Sequence, residues 1–127
     1  MSKIVVSTTG APAAIGPYSQ AIVAGDTLYA SGQIAPAAGD VAAQTEKAFD
    51  SVEAIVREAG FAMTDIVKTT VYLADMGDFA VVNEIYGRRM PQPYPARSCV
   101  QVAKLPAGAL VEIEAIAFRS ADETVGF

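Results

Sequence analysis

Two amphipathic helical segments with β-rich segments on either side predict an α+β fold, a mixed sheet with both helices on one face. Three observations carry that reading. The chain has 127 residues, which at roughly 150 residues per domain is one domain. Hydrophobic residues make up 52% and charged residues 18%, too apolar for a disordered chain and enough to fill one core. Between Gly- and Pro-rich breaks, the hydrophobic period switches between strand-like and helix-like.

The predicted order is β-β-β-α-β-α-β-β. A short strand covers Ile4 to Ser7, and a loop rich in Ala, Gly and Pro runs from Gly10 to Pro17. Gly25-Asp26 separates Ala21-Ile22-Val23 from Thr27-Leu28-Tyr29-Ala30, a hairpin signal. After the connection Ala35 to Asp40, Val41, Ala48, Phe49, Val52, Ile55, Val56 and Ala59 recur at spacings of three and four, an amphipathic helix. Asp40 is placed to cap its start and Gly60 its end. The β-branched run between Asp65 and Asp75 is a strand. A second helix spans Asp78 to Met90, with Phe79, Val82, Ile85 and Tyr86 inward. The prolines of residues 91–95 break it. Arg97 to Ala103 and Leu110 to Arg119 are the last strands. Residues 1–119 form the domain and residues 120–127 a polar tail with an apolar end.

Charge and composition exclude several functions. Nine Lys+Arg against fourteen Asp+Glu leave a net charge of -5. The longest basic run is Arg88-Arg89, so neither nucleic acid nor an anionic membrane is an expected partner. There is no His, which removes His general bases, Ser–His and Cys–His catalysis and the commonest metal ligand. Cys99 is the only Cys, which fits a reducing compartment. No apolar run approaches the ~20 residues of a membrane span. Residues 1–6 lack the length of a signal h-region. A soluble, cytoplasmic protein is expected.

The last two strands carry the chemistry. Side chains alternate along a strand. Arg97, Cys99 and Gln101 point one way and Ser98, Val100 and Val102 the other. In the final strand Glu112 and Glu114 share a face with Leu110, Ile116 and Phe118, opposite the smooth apolar face of Val111, Ile113, Ala115 and Ala117. If the two strands pair as a hairpin with their valines in one core, Arg97 and Cys99 join Glu112 and Glu114 on the face turned from the helices. Two readings of that mixed face stand. One is an oligomer interface that partly encloses Arg97 and Glu112. The other is a solvated face with a surface ion pair worth ~0–1 kcal/mol.

Gly16-Pro17-Tyr18-Ser19-Gln20-Ala21, Ser31-Gly32-Gln33-Ile34, Asn83, Pro95-Ala96-Arg97-Ser98-Cys99-Val100 and Glu112-Ile113-Glu114-Ala115-Ile116-Ala117 occur in order. This series resembles the RidA/YjgF family of enamine/imine deaminases, from about Ala14 to Arg119. The resemblance implies a chorismate-mutase-like fold and a homotrimer with a central barrel-like core and sites in clefts between subunits. It implies hydrolysis of 2-iminopropanoate, the tautomer of 2-aminoacrylate, to pyruvate and ammonia, with no cofactor or metal. The imine arises from pyridoxal-phosphate-dependent dehydratases.

The residue types suit that chemistry. A small carboxylate is best gripped by a planar fork of donors, which Arg97 offers. Glu112 matches the water-activating position of the family, with burial and Arg97 pushing its pKa in opposite directions. Glu114 shares its face, and the residues alone do not choose between the two; the family motif favours Glu112. Cys99 lacks an activating His, so its main chain, rather than its thiol, is expected to contact the substrate nitrogen. Tyr18 would stack on the planar substrate, while Ser31 and Gly32 would meet it with a hydroxyl and an N–H. Asn83 is either a substrate contact or a solvated helix residue. Bland readings remain beside these: a surface Arg97, an ion-paired Glu112, a bulge at Gly32 and a surface Tyr18.

Two connections are shorter than in many relatives, Ala35 to Asp40 and Gly87 to Tyr94, which can alter the cleft rim. The alternatives to an imine deaminase are a non-catalytic sensor of small carboxylates on the same fold, and a ribonuclease or protein-holding role. The net charge argues against a ribonuclease.

Overall fold

The computed structural model describes residues 2–119; the tail 120–127 lies outside them. The strands are β1 (Lys3–Val6), β2 (Ala21–Ala24), β3 (Thr27–Gln33), β4 (Ile66–Leu73), β5 (Ala96–Gln101) and β6 (Val111–Phe118), and the helices are α1 (Val41–Glu58) and α2 (Phe79–Arg89). The predicted order of elements is the observed one.

Local chemistry sets the boundaries. Gly25, at φ 60, turns β2 into β3 in two residues. The Asp40 carboxylate accepts from the Ala43 N–H at 2.9 Å and caps α1. Gly60, at φ 82, takes the left-handed conformation that follows its last turn. At its far end α2 is clamped onto α1. Arg89 donates from Nη1 to Glu46 Oε1 at 2.7 Å and from Nη2 to Asp50 Oδ1 at 2.8 Å. Arg88 reaches Glu46 Oε2 at 2.8 Å, and the two guanidiniums lower the Glu46 pKa.

The strands form one sheet in the order β1-β2-β3-β6-β4-β5. Every neighbouring pair is antiparallel except β4–β5, which is parallel, with α2 as the crossover that a parallel neighbour requires. Both helices pack on one face. Phe49, Val52, Ile55 and Val56 of α1 and Val82, Ile85 and Tyr86 of α2 bury there against Leu28, Val71, Leu73, Val111 and Ile113. Each such apolar side chain contributes about 1.5–3 kcal/mol on burial. The other face is open, and its apolar members stay half exposed: Tyr29 at 50%, Phe118 and Val100 at 44%.

One expectation is overturned. β5 and β6 do not form a hairpin, because β4 lies between them. Thr69 of β4 pairs with Arg97 on one side and with Ala115 on the other, and Val71 pairs likewise with Cys99 and Ile113. Paired residues share a face. Arg97 and Cys99 therefore lie on the helix side, and Glu112 and Glu114 on the open side. Val100, taken as core in the sequence, points to the open face and is exposed. The physical reason is that β5 is an edge strand. Its helix-facing side reaches past the core to the flank of α2, where a guanidinium can be accommodated.

Candidate functional site

The first cluster is built on β5 and α2. Phe79, Asn83 and Tyr86 are spaced by four and three residues, so they form one stripe along α2. Arg97 lies along that stripe. Its guanidinium carbon sits 4.7 Å from the centre of the Tyr86 ring and 5.6 Å from that of Phe79. Nη1 donates to Asn83 Oδ1 at 2.8 Å. Among the described residues Arg97 makes no ion pair; the four that exist involve Arg57, Arg88 and Arg89. A cleft of about 420 Å³ opens beside it, walled by Tyr86, Gly87, Tyr94 and Pro95. The short connection after α2 shapes that wall, since the Tyr94 hydroxyl donates back to the Gly87 carbonyl at 3.0 Å.

Cys99 lies two residues further along β5, half-buried at the edge of the core. Burial pushes its thiol pKa up, and the nearby Arg97 charge only partly opposes this. The thiol is protonated at neutral pH and is a poor nucleophile. Among the described residues β5 is hydrogen-bonded to β4 along one edge and to no strand along the other. Half of its main-chain groups are thus free to meet a ligand.

The second cluster is on the open face. Register slips between β3 and β6 after Ala30, so that Ser31 and Gly32 form a bulge opposite Glu114. The Glu112 carboxyl group packs against the main chain of Gly32, where a Cβ would overlap it. Burial, and secondly the charge of Glu114, raise the Glu112 pKa. Glu114 is engaged elsewhere: Tyr72 donates its hydroxyl to Glu114 Oε1 at 2.7 Å, which with burial raises the Tyr72 pKa. Of the two glutamates, Glu112 is the one without a hydrogen-bond partner among the described residues.

Ser31 anchors the neighbouring loop. Its N–H donates to the Gln20 carbonyl at 2.9 Å and its hydroxyl to the Ser19 carbonyl at 2.6 Å. Both donors are occupied, so Ser31 can only accept from a ligand. The loop carries Tyr18, 53% exposed. Gln20, nearly fully buried, knits the loop together by accepting from the Thr8 N–H at 2.7 Å and donating to the Pro12 carbonyl at 2.8 Å.

The expected site residues thus fall into two groups. Arg97, Asn83 and Cys99 stand together on the helix side. Glu112, Glu114, Gly32 and Ser31 stand together by the loop of Tyr18. Arg97 and Glu112 do not converge within one chain, contrary to the expected shared face. They are two strands apart, about 10 Å across the sheet, and project to opposite sides of it. The sequence pattern marks Tyr86 and Phe79 only as core and assigns Tyr72 no role. The spacing of residues 79, 83 and 86 placed the two aromatics on one stripe with Asn83, and that was the available signal. Among the described residues no group of three or more His, Cys, Asp or Glu side chains is arranged to hold a metal.

Comparison with known proteins agrees with the order of motifs. The family model described as Endoribonuclease L-PSP matches residues 8–119. A protein of Escherichia coli named 2-iminobutanoate/2-iminopropanoate deaminase is 49% identical over 128 residues, covering 94% of this chain and 99% of its own. The crystal structure of RidA from an Antarctic Psychrobacter superposes with a TM-score of 0.87 at 44% identity, covering 91% of this chain and 99% of its own. That of E. coli TdcF with bound serine gives 0.86 at 43% identity, covering 92% and 99%. With nearly the whole domain matched in sequence and in fold, the chain belongs to the RidA/YjgF family.

Proposed function

We propose that this protein hydrolyses small 2-imino acids to 2-oxo acids and ammonia, in clefts between the subunits of a homotrimer. The observation that carries this reading is the Arg97 guanidinium, without an ion-pair partner among the described residues, held over the Tyr86 ring with a cleft beside it. A fork so held matches the two oxygens of a carboxylate. The names of relatives at 49% and 47% identity, from E. coli and Bos taurus, support the reaction. The serine bound in TdcF supports a ligand of that size.

Because Arg97 and Glu112 project to opposite sides of one sheet, the site takes each from a different subunit. Arg97, Asn83 and the main chain at Cys99 come from one protomer. Glu112, Gly32 and Tyr18 come from its neighbour. The exposed apolar residues of the open face support burial against a second copy. The substrate carboxylate lies on Arg97 with its planar C=N system stacked on Tyr18. Glu112 takes a proton from water as the water oxygen bonds to the imine carbon, the C=N π pair passes to the nitrogen, and the nitrogen takes up the proton that Glu112 received. The tetrahedral amino alcohol then expels ammonia, its nitrogen gaining a proton and its hydroxyl losing one, to leave the 2-oxo acid. A carboxyl with a raised pKa is better matched to this proton transfer than an ordinary one.

The test generates iminopropanoate in situ with a dehydratase and follows its decay. Acceleration by wild type and none by R97A is expected. No acceleration by wild type, or an equal one by R97A, refutes the assignment. Saturable binding of 2-oxobutanoate without any turnover would identify the protein as a sensor instead.

A further inference from the structure

We propose that Tyr86 is the positioning residue of the Arg97 guanidinium, a platform locked in place by its hydrogen bond to Thr69. The inference rests on the reading of Arg97 as the carboxylate clamp. Thr69 and Arg97 are register partners on adjacent parallel strands and share the helix face. The Tyr86 and Thr69 hydroxyl oxygens are 2.6 Å apart, and both residues are buried, at 4% and 1% exposure. They form a polar pair inside an otherwise apolar layer, where an isosteric Val and Phe would pack without any bond to satisfy. The ring also meets Phe49 edge-on, with centroids 5.7 Å apart and planes at 69°. Two contacts therefore fix the plane of the ring: the tie of its hydroxyl and the edge against Phe49.

That plane sets the guanidinium. Arg97 lies 4.7 Å from the ring centre, within cation–π range. Stacking uses none of the five guanidinium N–H donors, and Asn83 accepts from Nη1. The remaining donors stay available at the cleft. An arginine without this platform must give up the freedom of a long side chain each time it grips a ligand. The platform removes that cost in advance, so its effect falls on binding rather than on the chemical step.

The experiment measures KM and kcat for the imine and the Kd of 2-oxobutanoate, with the melting temperature as a check on folding. Y86L removes the ring face. It is expected to raise KM and Kd about tenfold with kcat changed less than about threefold. Y86F keeps the face and loses only the tie, so its KM rises far less than that of Y86L. F79L removes the more distant, half-buried ring and is expected to raise KM about threefold. A folded Y86L with lowered melting temperature but unchanged KM and Kd overturns the proposal. If Y86L fails to fold, a folded Y86F or T69V, each of which loses the tie, with KM and Kd unchanged overturns it. R97A separates this from the underlying reading: unimpaired binding in R97A refutes the clamp itself, whereas impaired R97A with unimpaired Y86L refutes only the platform.

Discussion

The Glu112 carboxyl group occupies the space that a side chain on Gly32 would fill. The φ of Gly32 is unexceptional, so it is this contact, not backbone strain, that demands glycine there. G32A leaves the bulge able to form but drives Glu112 from its seat. A displacement of about 1 Å at a reacting group costs on the order of 10²-fold. We expect kcat/KM for the imine to fall by about that factor, with circular dichroism unchanged.

If the site takes residues from two subunits, as proposed, inactive variants complement each other. R97A and E112Q are each expected to be inactive alone. When the two are unfolded together and refolded, a site regains function wherever an intact Arg97 meets an intact Glu112. Random assembly in a closed ring of head-to-tail contacts gives about one site in four. Recovery near that fraction supports the intersubunit arrangement, and no recovery excludes it.

Glu114 shapes the pH dependence through its charge. Its carboxylate beside Glu112 disfavours a second negative charge and raises the Glu112 pKa, secondarily to burial. With Glu112 as the proposed base, activity is expected to be lost as pH falls through that raised value. E114Q removes the repulsion, and the acid limb of kcat/KM is expected to move to lower pH than in wild type. A limb unmoved in E114Q and lost in E112Q would show that Glu114 exerts no influence.

A thiol held protonated by burial predicts tolerance at Cys99. C99A is expected to lower kcat by less than about threefold, because the main chain at that position is retained. Wild type treated with iodoacetamide at neutral pH is expected to react slowly. Rapid inactivation would restore the thiol to the mechanism.

Much of the fold was legible because its signals are local. The apolar spacing between Asp40 and Gly60, the acidic cap and the Gly25-Asp26 turn each depend on neighbours in sequence. The alternation from Val111 to Phe118 marked the core face of β6 correctly. Strand order was not legible. The segment Lys104 to Ala109 reads as a hairpin connection, yet it carries the chain past β4. The faces of β5 were inverted for a related reason. Hydrophobicity places Val100 inward and Arg97 outward, but on this edge strand Arg97 turns to the aromatic stripe of α2 and Val100 is left exposed. The candidate site residues come from the motifs alone, and the hairpin register that links Arg97 to Glu112 on one face is overturned.

The thickness of the sheet between guanidinium and carboxylate also bears on how much active material a given quantity of chain supplies. A solitary protomer cannot bring both groups to a molecule of a few ångströms. Under the two-subunit arrangement it has no turnover of its own. Specific activity then becomes a measure of association. It stays constant while the particles remain whole and collapses on dilution below the concentration at which they come apart, even though every polypeptide is still folded.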